Sequence, residues 1–261
     1  MIEIKRILDR FDSLMSEKNF DEAERLLNYW INECEATGDA RNRFTLLNEL
    51  VGFYRMRSEK IHGVYVSSEL LDAVKDMELE DNVSGATAFI NVATAYKSFG
   101  MTDDALSLYE KAAVIYERDL ERTDDRLPAL YNNMALAFMD MAAITKEKNA
   151  DTYCFYSEKA ETYFDEALDI LRSIKGSENE QAITFLNLAD LAVLRLGVEE
   201  SEETVQTYAG KAYELLEKSH NDGNAEFKMT AEKCIPVFSH YGYFMHANNL
   251  KKFITEDFYE S

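Results

Sequence analysis

The chain has few of the residues that break or cross-link a fold. Two prolines and ten glycines are sparse for 261 residues. An all-β protein of this length needs more turn residues, whereas long helices joined by tight turns need few. The three cysteines, Cys34, Cys154 and Cys234, are far apart and form no CxxC pair. A disulfide framework or a structural zinc site is therefore not expected, and a reducing compartment is. Positive charge is also scarce: 28 Lys and Arg stand against 49 Asp and Glu, a formal net charge of -21. Nucleic-acid binders need a cationic surface to displace condensed counterions. This chain repels phosphate, and anionic membrane for the same reason.

Long apolar runs are missing as well. The N-terminus, MIEIKRILDRFDSLMSEKNF, alternates charged with apolar residues, so no signal peptide is expected. The longest stretch without a charged residue, Cys234 to Leu250, carries Pro236, two histidines and two asparagines, a poor membrane span. Hydrophobic residues still make up 46% of the chain, which excludes a disordered acidic tail. A soluble cytoplasmic protein is the expectation.

Apolar residues recur at helical spacing almost throughout. Short polar or glycine-bearing stretches interrupt them: SEKN at 16–19, ATGD at 36–39, LEDN at 79–82, FGMT at 99–102, RTDD at 122–125, KEKNA at 146–150, KGSEN at 175–179, GVEES at 197–201 and SHNDGN at 219–224. Asn19, with Glu22 three residues on, and Ser177-x-x-Glu180 read as helix starts, the second as a capping box. Pro128 suits a first helical turn. Pro236, inside an apolar helical pattern, should kink or interrupt its helix. The acidic run Glu199–Glu203 reads first as a helix N-terminus, where carboxylates favour the dipole. A docking patch for a basic segment is the alternative.

Internal repetition decides the architecture. GMTDDA (Gly100–Ala105) has counterparts in KNFDEA (Lys18–Ala23) and GYFMHA (Gly242–Ala247). YEKAAVIYE (Tyr109–Glu117) is echoed by FDEALDILR (Phe164–Arg172) and AGKAYELLE (Ala209–Glu217). Before the turns, FINVATAY (Phe89–Tyr96) is echoed by LNELVGFY (Leu47–Tyr54), LYNNMALAF (Leu130–Phe138) and FLNLADLA (Phe185–Ala192). The order is helix A, turn, helix B. Small residues, among them Ala93, Ala105 and Ala112, recur where two helices must cross closely, and large residues one turn away fill the grooves. The unit at residue 44 has Gly63 in place of the turn alanine.

This pattern resembles the tetratricopeptide repeat (TPR). The matching residues in the unit from Ala86 are Phe89, Val92, Ala93, Tyr96, Gly100, Ala105, Tyr109 and Ala112. The units run to roughly forty residues rather than the usual ~34, and so are similar to the repeats of kinesin light chain. The resemblance implies an all-α solenoid of stacked antiparallel helical hairpins. It would form one domain over 1–261, with five or six hairpins wound into a right-handed superhelix. It also implies a non-catalytic scaffold that binds a protein or peptide segment in its concave groove. A regulatory sensor of a short signalling peptide, acting through a protein partner, is the alternative.

Asn91, Asn133 and Asn187 fall at one place in three successive A helices, two residues before the small core residue. In peptide-binding members of the family this place faces the groove, and its amide supplies both a donor and an acceptor to an extended chain. The other reading is an asparagine that ties neighbouring helices or merely sits exposed. Asn48 and Asn132 lie one position earlier and reach the same surface. A clamp for a terminal carboxylate needs basic residues beside such asparagines. Arg55, Lys97 and Lys233 are the basic residues placed there, and they are scattered. No metal, cofactor or catalytic constellation is expected: His240 and His246 are six apart, and no cysteine has a local activating partner. The expected partner is a protein or peptide, with a basic one favoured by charge. Phe253, Ile254, Phe258 and Tyr259 give the C-terminal helix more apolar surface than a solenoid cap needs. It either folds back on the preceding hairpin or forms a subunit contact.

Overall fold

The computed structural model describes residues 3–256. Among them are twelve α-helices and no strand: α1 (Ile4–Ser16), α2 (Phe20–Thr37), α3 (Ala40–Met56), α4 (Lys60–Asp76), α5 (Val83–Ser98), α6 (Thr102–Asp119), α7 (Arg126–Thr145), α8 (Ala150–Leu171), α9 (Glu178–Leu196), α10 (Glu202–Asn221), α11 (Phe227–His240) and α12 (Phe244–Glu256). Consecutive helices pair as six hairpins, each an odd-numbered helix A and an even-numbered helix B. The chain forms two compact units, Met1–Leu120 and Glu121–Ser261. No helix of the described residues is long and apolar enough to cross a membrane.

In the first unit α3 packs on α2 and α4, and α5 packs on α3, α4 and α6. The small residues lie at these crossings. Ala23, Ala93, Ala105 and Ala112 have no exposed surface, and Tyr109 and Tyr116 are buried beside them. Both tyrosine hydroxyls of α6 reach back to threonines of α5: Tyr109 shares a hydrogen bond with Thr94 at 2.9 Å, and Tyr116 with Thr87 at 2.7 Å. Gly63 stands at the alanine position of α4 because the Phe99 ring fills that space. A Cβ on residue 63 would lie 2.5 Å from the ring tip.

The second unit repeats the plan. α9 packs on α7, α8, α10 and α11. Ala135, Ala167, Ala189, Ala209 and Ala212 are fully buried at its crossings, with Phe164 and Phe238 filling the core. Lys146 and Tyr153 both donate to the carbonyl of Leu194. That carbonyl is one of the last-turn acceptors that a helix leaves unsatisfied.

The structure departs from the sequence reading in three local features. A further break separates α3 from α4 at residues 57–59, and its left-handed residue is Ser58, not glycine (φ +56°). Lys18 and Glu78 take the same conformation in two other turns of this unit. Without glycine, the turn at Ser58 carries little sequence signal. Of the two outcomes expected at Pro236, interruption does not occur: α11 runs through it from Phe227 to His240. The helix loses the bond to the Glu232 carbonyl, but both residues are exposed, where solvent can take its place. Ser177 and Asn19 precede their helices but do not cap them with their side chains. Ser177 is buried, and its hydroxyl turns back to the carbonyls of Leu171 (2.6 Å) and Ile174 (2.9 Å).

Candidate functional site

The A helices place the five asparagines, and their surroundings differ between the units. In the first unit, Asn91 on α5 donates from Nδ2 to Oδ1 of Asn48 on α3 at 2.8 Å. Asn48 in turn donates to the Phe44 carbonyl of its own helix at 2.9 Å. The pair ties two neighbouring A helices, so part of its hydrogen-bonding capacity is taken up within the fold.

In the second unit, Asn132 is engaged in the same way. It donates to the Pro128 carbonyl at 3.1 Å and accepts from the Thr184 hydroxyl of α9 at 3.0 Å. Asn133 and Asn187 differ. Both are half-buried, and no side-chain hydrogen bond ties either of them among the described residues. Each offers a donor and an acceptor to whatever lies against the A-helix face.

Acidic groups lie near Asn187 and Asn132. Asp190 lies one helical turn from Asn187 on α9 and accepts a hydrogen bond from the Tyr241 hydroxyl. Burial raises the Asp190 carboxyl above its ordinary range, while the Tyr241 bond and the charge of His240 oppose that rise. A cavity of about 590 Å³ is lined by Asn132, Ala129 and Ile174 and by the carboxylates of Asp125, Glu180 and Glu226. Partial burial raises the Glu180 carboxyl, and the nearby charges of Glu226 and Asp125 add to the rise. Lys175 is the cation at its edge. A cationic side chain would relieve this carboxylate repulsion.

The basic residues expected near the asparagines are spread out. Arg55 is exposed in the last turn of α3, Lys97 is half-buried in the last turn of α5, and Lys233 is exposed on α11. The sequence reading missed Asp190, Thr184 and Tyr241. Asp190 carried a signal, as an acid in register with Thr94 and set among Leu188, Ala189, Leu191 and Ala192. Of the C-terminal aromatics, Phe253 is half-buried and stacks on His220 at 4.4 Å. Ile254 is half-buried, and Phe258 and Tyr259 lie outside the described residues. No group of three or more His, Cys, Asp or Glu residues able to hold a metal occurs among the described residues.

The fold is similar to solved helical-repeat proteins. Against BtubC (BKLC) from P. vanneervenii the chain is 17% identical with a TM-score of 0.57, covering 98% of this chain and 92% of that one. Against a putative kinesin light chain from Podosopora anserina, with nearly identical TPR-like repeats, it is 14% identical with a TM-score of 0.50, covering 82% and 94%. At these identities the likeness is one of fold: a TPR-like solenoid of helical hairpins. No family model matches the sequence, and no curated protein does.

Proposed function

We propose that this chain is a non-catalytic cytoplasmic scaffold whose second unit binds an extended, basic protein or peptide segment along its A helices. The observation that carries the reading is the pair of half-buried amides at one repeat position, Asn133 and Asn187, without side-chain partners among the described residues. An extended segment keeps its own N–H and C=O groups unpaired, and each needs a partner once water is excluded. Charge supports the basic character of the segment: the chain carries a net charge of -21, and three carboxylates converge on the cavity beside Asn132. The TPR-like fold suits protein partners. Three free cysteines suit a reducing compartment.

The test is selection of peptides from a random library on the full chain, followed by anisotropy measurements. Enriched peptides should be extended and rich in Lys or Arg. Asn133→Ala and Asn187→Ala should each weaken binding by about 0.5–1.5 kcal/mol while leaving the melting temperature in place. Affinity should fall with salt, because exposed charges are screened beyond ~8 Å at physiological ionic strength. Enrichment of salt-insensitive apolar peptides that bind both variants normally would remove the proposal.

A further inference from the structure

The last helix is attached in an unusual way. From Phe244 to Thr255, only Ala247 and Leu250 of α12 are fully buried. Two imidazoles take part in the remaining contacts with α10 and α11, beside a tilted Phe253–Phe227 ring contact at 6.5 Å. His246 of α12 stacks on Tyr213 of α10, with ring centroids 4.1 Å apart, and meets the edge of Phe238 of α11 at 5.7 Å. Reciprocally, His220 of α10 stacks on Phe253 of α12 at 4.4 Å and lies 5.0 Å from Phe227 of α11. Asn249 completes the contact by donating to the Tyr213 hydroxyl at 3.1 Å. Two of the four histidines in the chain therefore hold its C-terminal helix.

We propose that α12 is a pH-responsive clasp, held more tightly on α10 and α11 while His246 is neutral and loosened when that imidazole takes up a proton. Its opening uncovers the aromatic faces of Tyr213, Phe227 and Phe238. The groups facing His246 are few. Tyr213 and Glu217 come from α10, α11 contributes the uncharged ring of Phe238, and Tyr243 of the turn stacks at 5.8 Å. Burial disfavours the imidazolium and lowers its pKa, and the charge of Glu217 opposes this as the smaller effect. The unfolded or undocked state then binds more protons, so the contribution of His246 to docking is fully present above the ordinary imidazole pKa of ~6.5 and is lost as pH falls below it. Asp190, which holds Tyr241 next to the same turn, has the opposite sign. Its raised pKa means that acid favours the docked form, so it cannot produce the release. Among the described residues α12 packs on α10 and α11, fewer neighbours than α9 has, and a helix held on fewer sides opens at lower cost.

Hydrogen exchange of the full chain at about pH 7.5 and about pH 5.5, corrected for intrinsic rates, tests this. Peptides over 243–256 should lose protection at the lower pH, by at most about tenfold one unit below the ordinary imidazole pKa of ~6.5. Peptides of α9 should hold theirs. His246→Phe keeps a stacking ring without a titrating nitrogen and should make protection of α12 independent of pH. Unchanged protection in the wild type, or a response that survives His246→Phe, overturns the proposal. If that variant fails to fold, NMR titration of the wild-type imidazole decides. A midpoint below ~6.5 that coincides with α12 opening supports the clasp, and one at or above ~6.5 ends it.

Discussion

Nδ2 of Asn91 on α5 and Oδ1 of Asn48 on α3 are hydrogen-bonded across 2.8 Å, linking two A helices that are 43 residues apart in sequence. The same amide position is therefore engaged within the fold in the first unit and left unbonded at Asn133 and Asn187 in the second. Asn91→Ala should lower the stability of the first unit by about 0.5–1.5 kcal/mol, because it leaves Asn48 without its donor. Asn187→Ala should have almost no effect. Urea denaturation of both variants makes the comparison, and equal midpoints would show that the Asn91 tie contributes nothing.

Ala105 sits fully buried on α6 where that helix crosses α5. Ala105→Leu forces the isopropyl group of leucine into a closed contact. Thermal melting should show a loss of about 1–3 kcal/mol. An unchanged melting temperature would mean the crossing is not close-packed at this position.

Gly85 is a stricter case. A Cβ there would lie 1.9 Å from the carbonyl oxygen of Leu79, in the turn before α5. That carbonyl accepts from the Asn82 N–H at 3.3 Å, so it cannot swing aside without losing the turn. Gly85→Ala should cost about 3 kcal/mol or more, the upper end for overpacked sites. Gly210, with open space around it, should accept alanine readily.

Tyr54 donates to Glu24 at 2.7 Å, joining α3 to α2. Burial first, and the Glu24 bond second, push its hydroxyl up to about 12. The folded state thus holds this proton more tightly than the unfolded one. Its contribution is fully present below the ordinary tyrosine pKa of ~10 and is lost as pH rises toward 12. Tyr54→Phe should flatten the fall in stability above about pH 10, read by circular dichroism against the wild type.

The thiols should react unequally. Cys154 is exposed, and Cys34 and Cys234 are buried. Burial pushes the Cys234 thiol up to about 12, which leaves almost no thiolate at neutral pH. A disulfide reagent should titrate one thiol quickly in the native protein and all three in denaturant. Fast reaction of a second native thiol would show that one of the two cores opens readily.

The architecture was legible in the amino-acid sequence because it rests on short-range facts. Apolar periodicity fixes which face of a helix is buried, and an alanine recurring at Ala93, Ala105 and Ala112 marks a close crossing whatever lies on the other side. The break at 57–59 was hidden because Ser58 performs a turn that glycine usually announces.

What the amides and histidines do was decided only in three dimensions. Asn91 and Asn187 occupy one repeat position, yet only Asn91 meets another asparagine, because Asn48 happens to stand opposite on the neighbouring helix. His246 shows no signal in the linear sequence, since the Tyr213 ring it stacks on lies on α10, one hairpin earlier. Helix formation depends on neighbours three and four residues away, which the sequence displays directly. A polar side chain's role depends on which group from a distant helix arrives within hydrogen-bonding or stacking distance, and only the folded chain brings the two together.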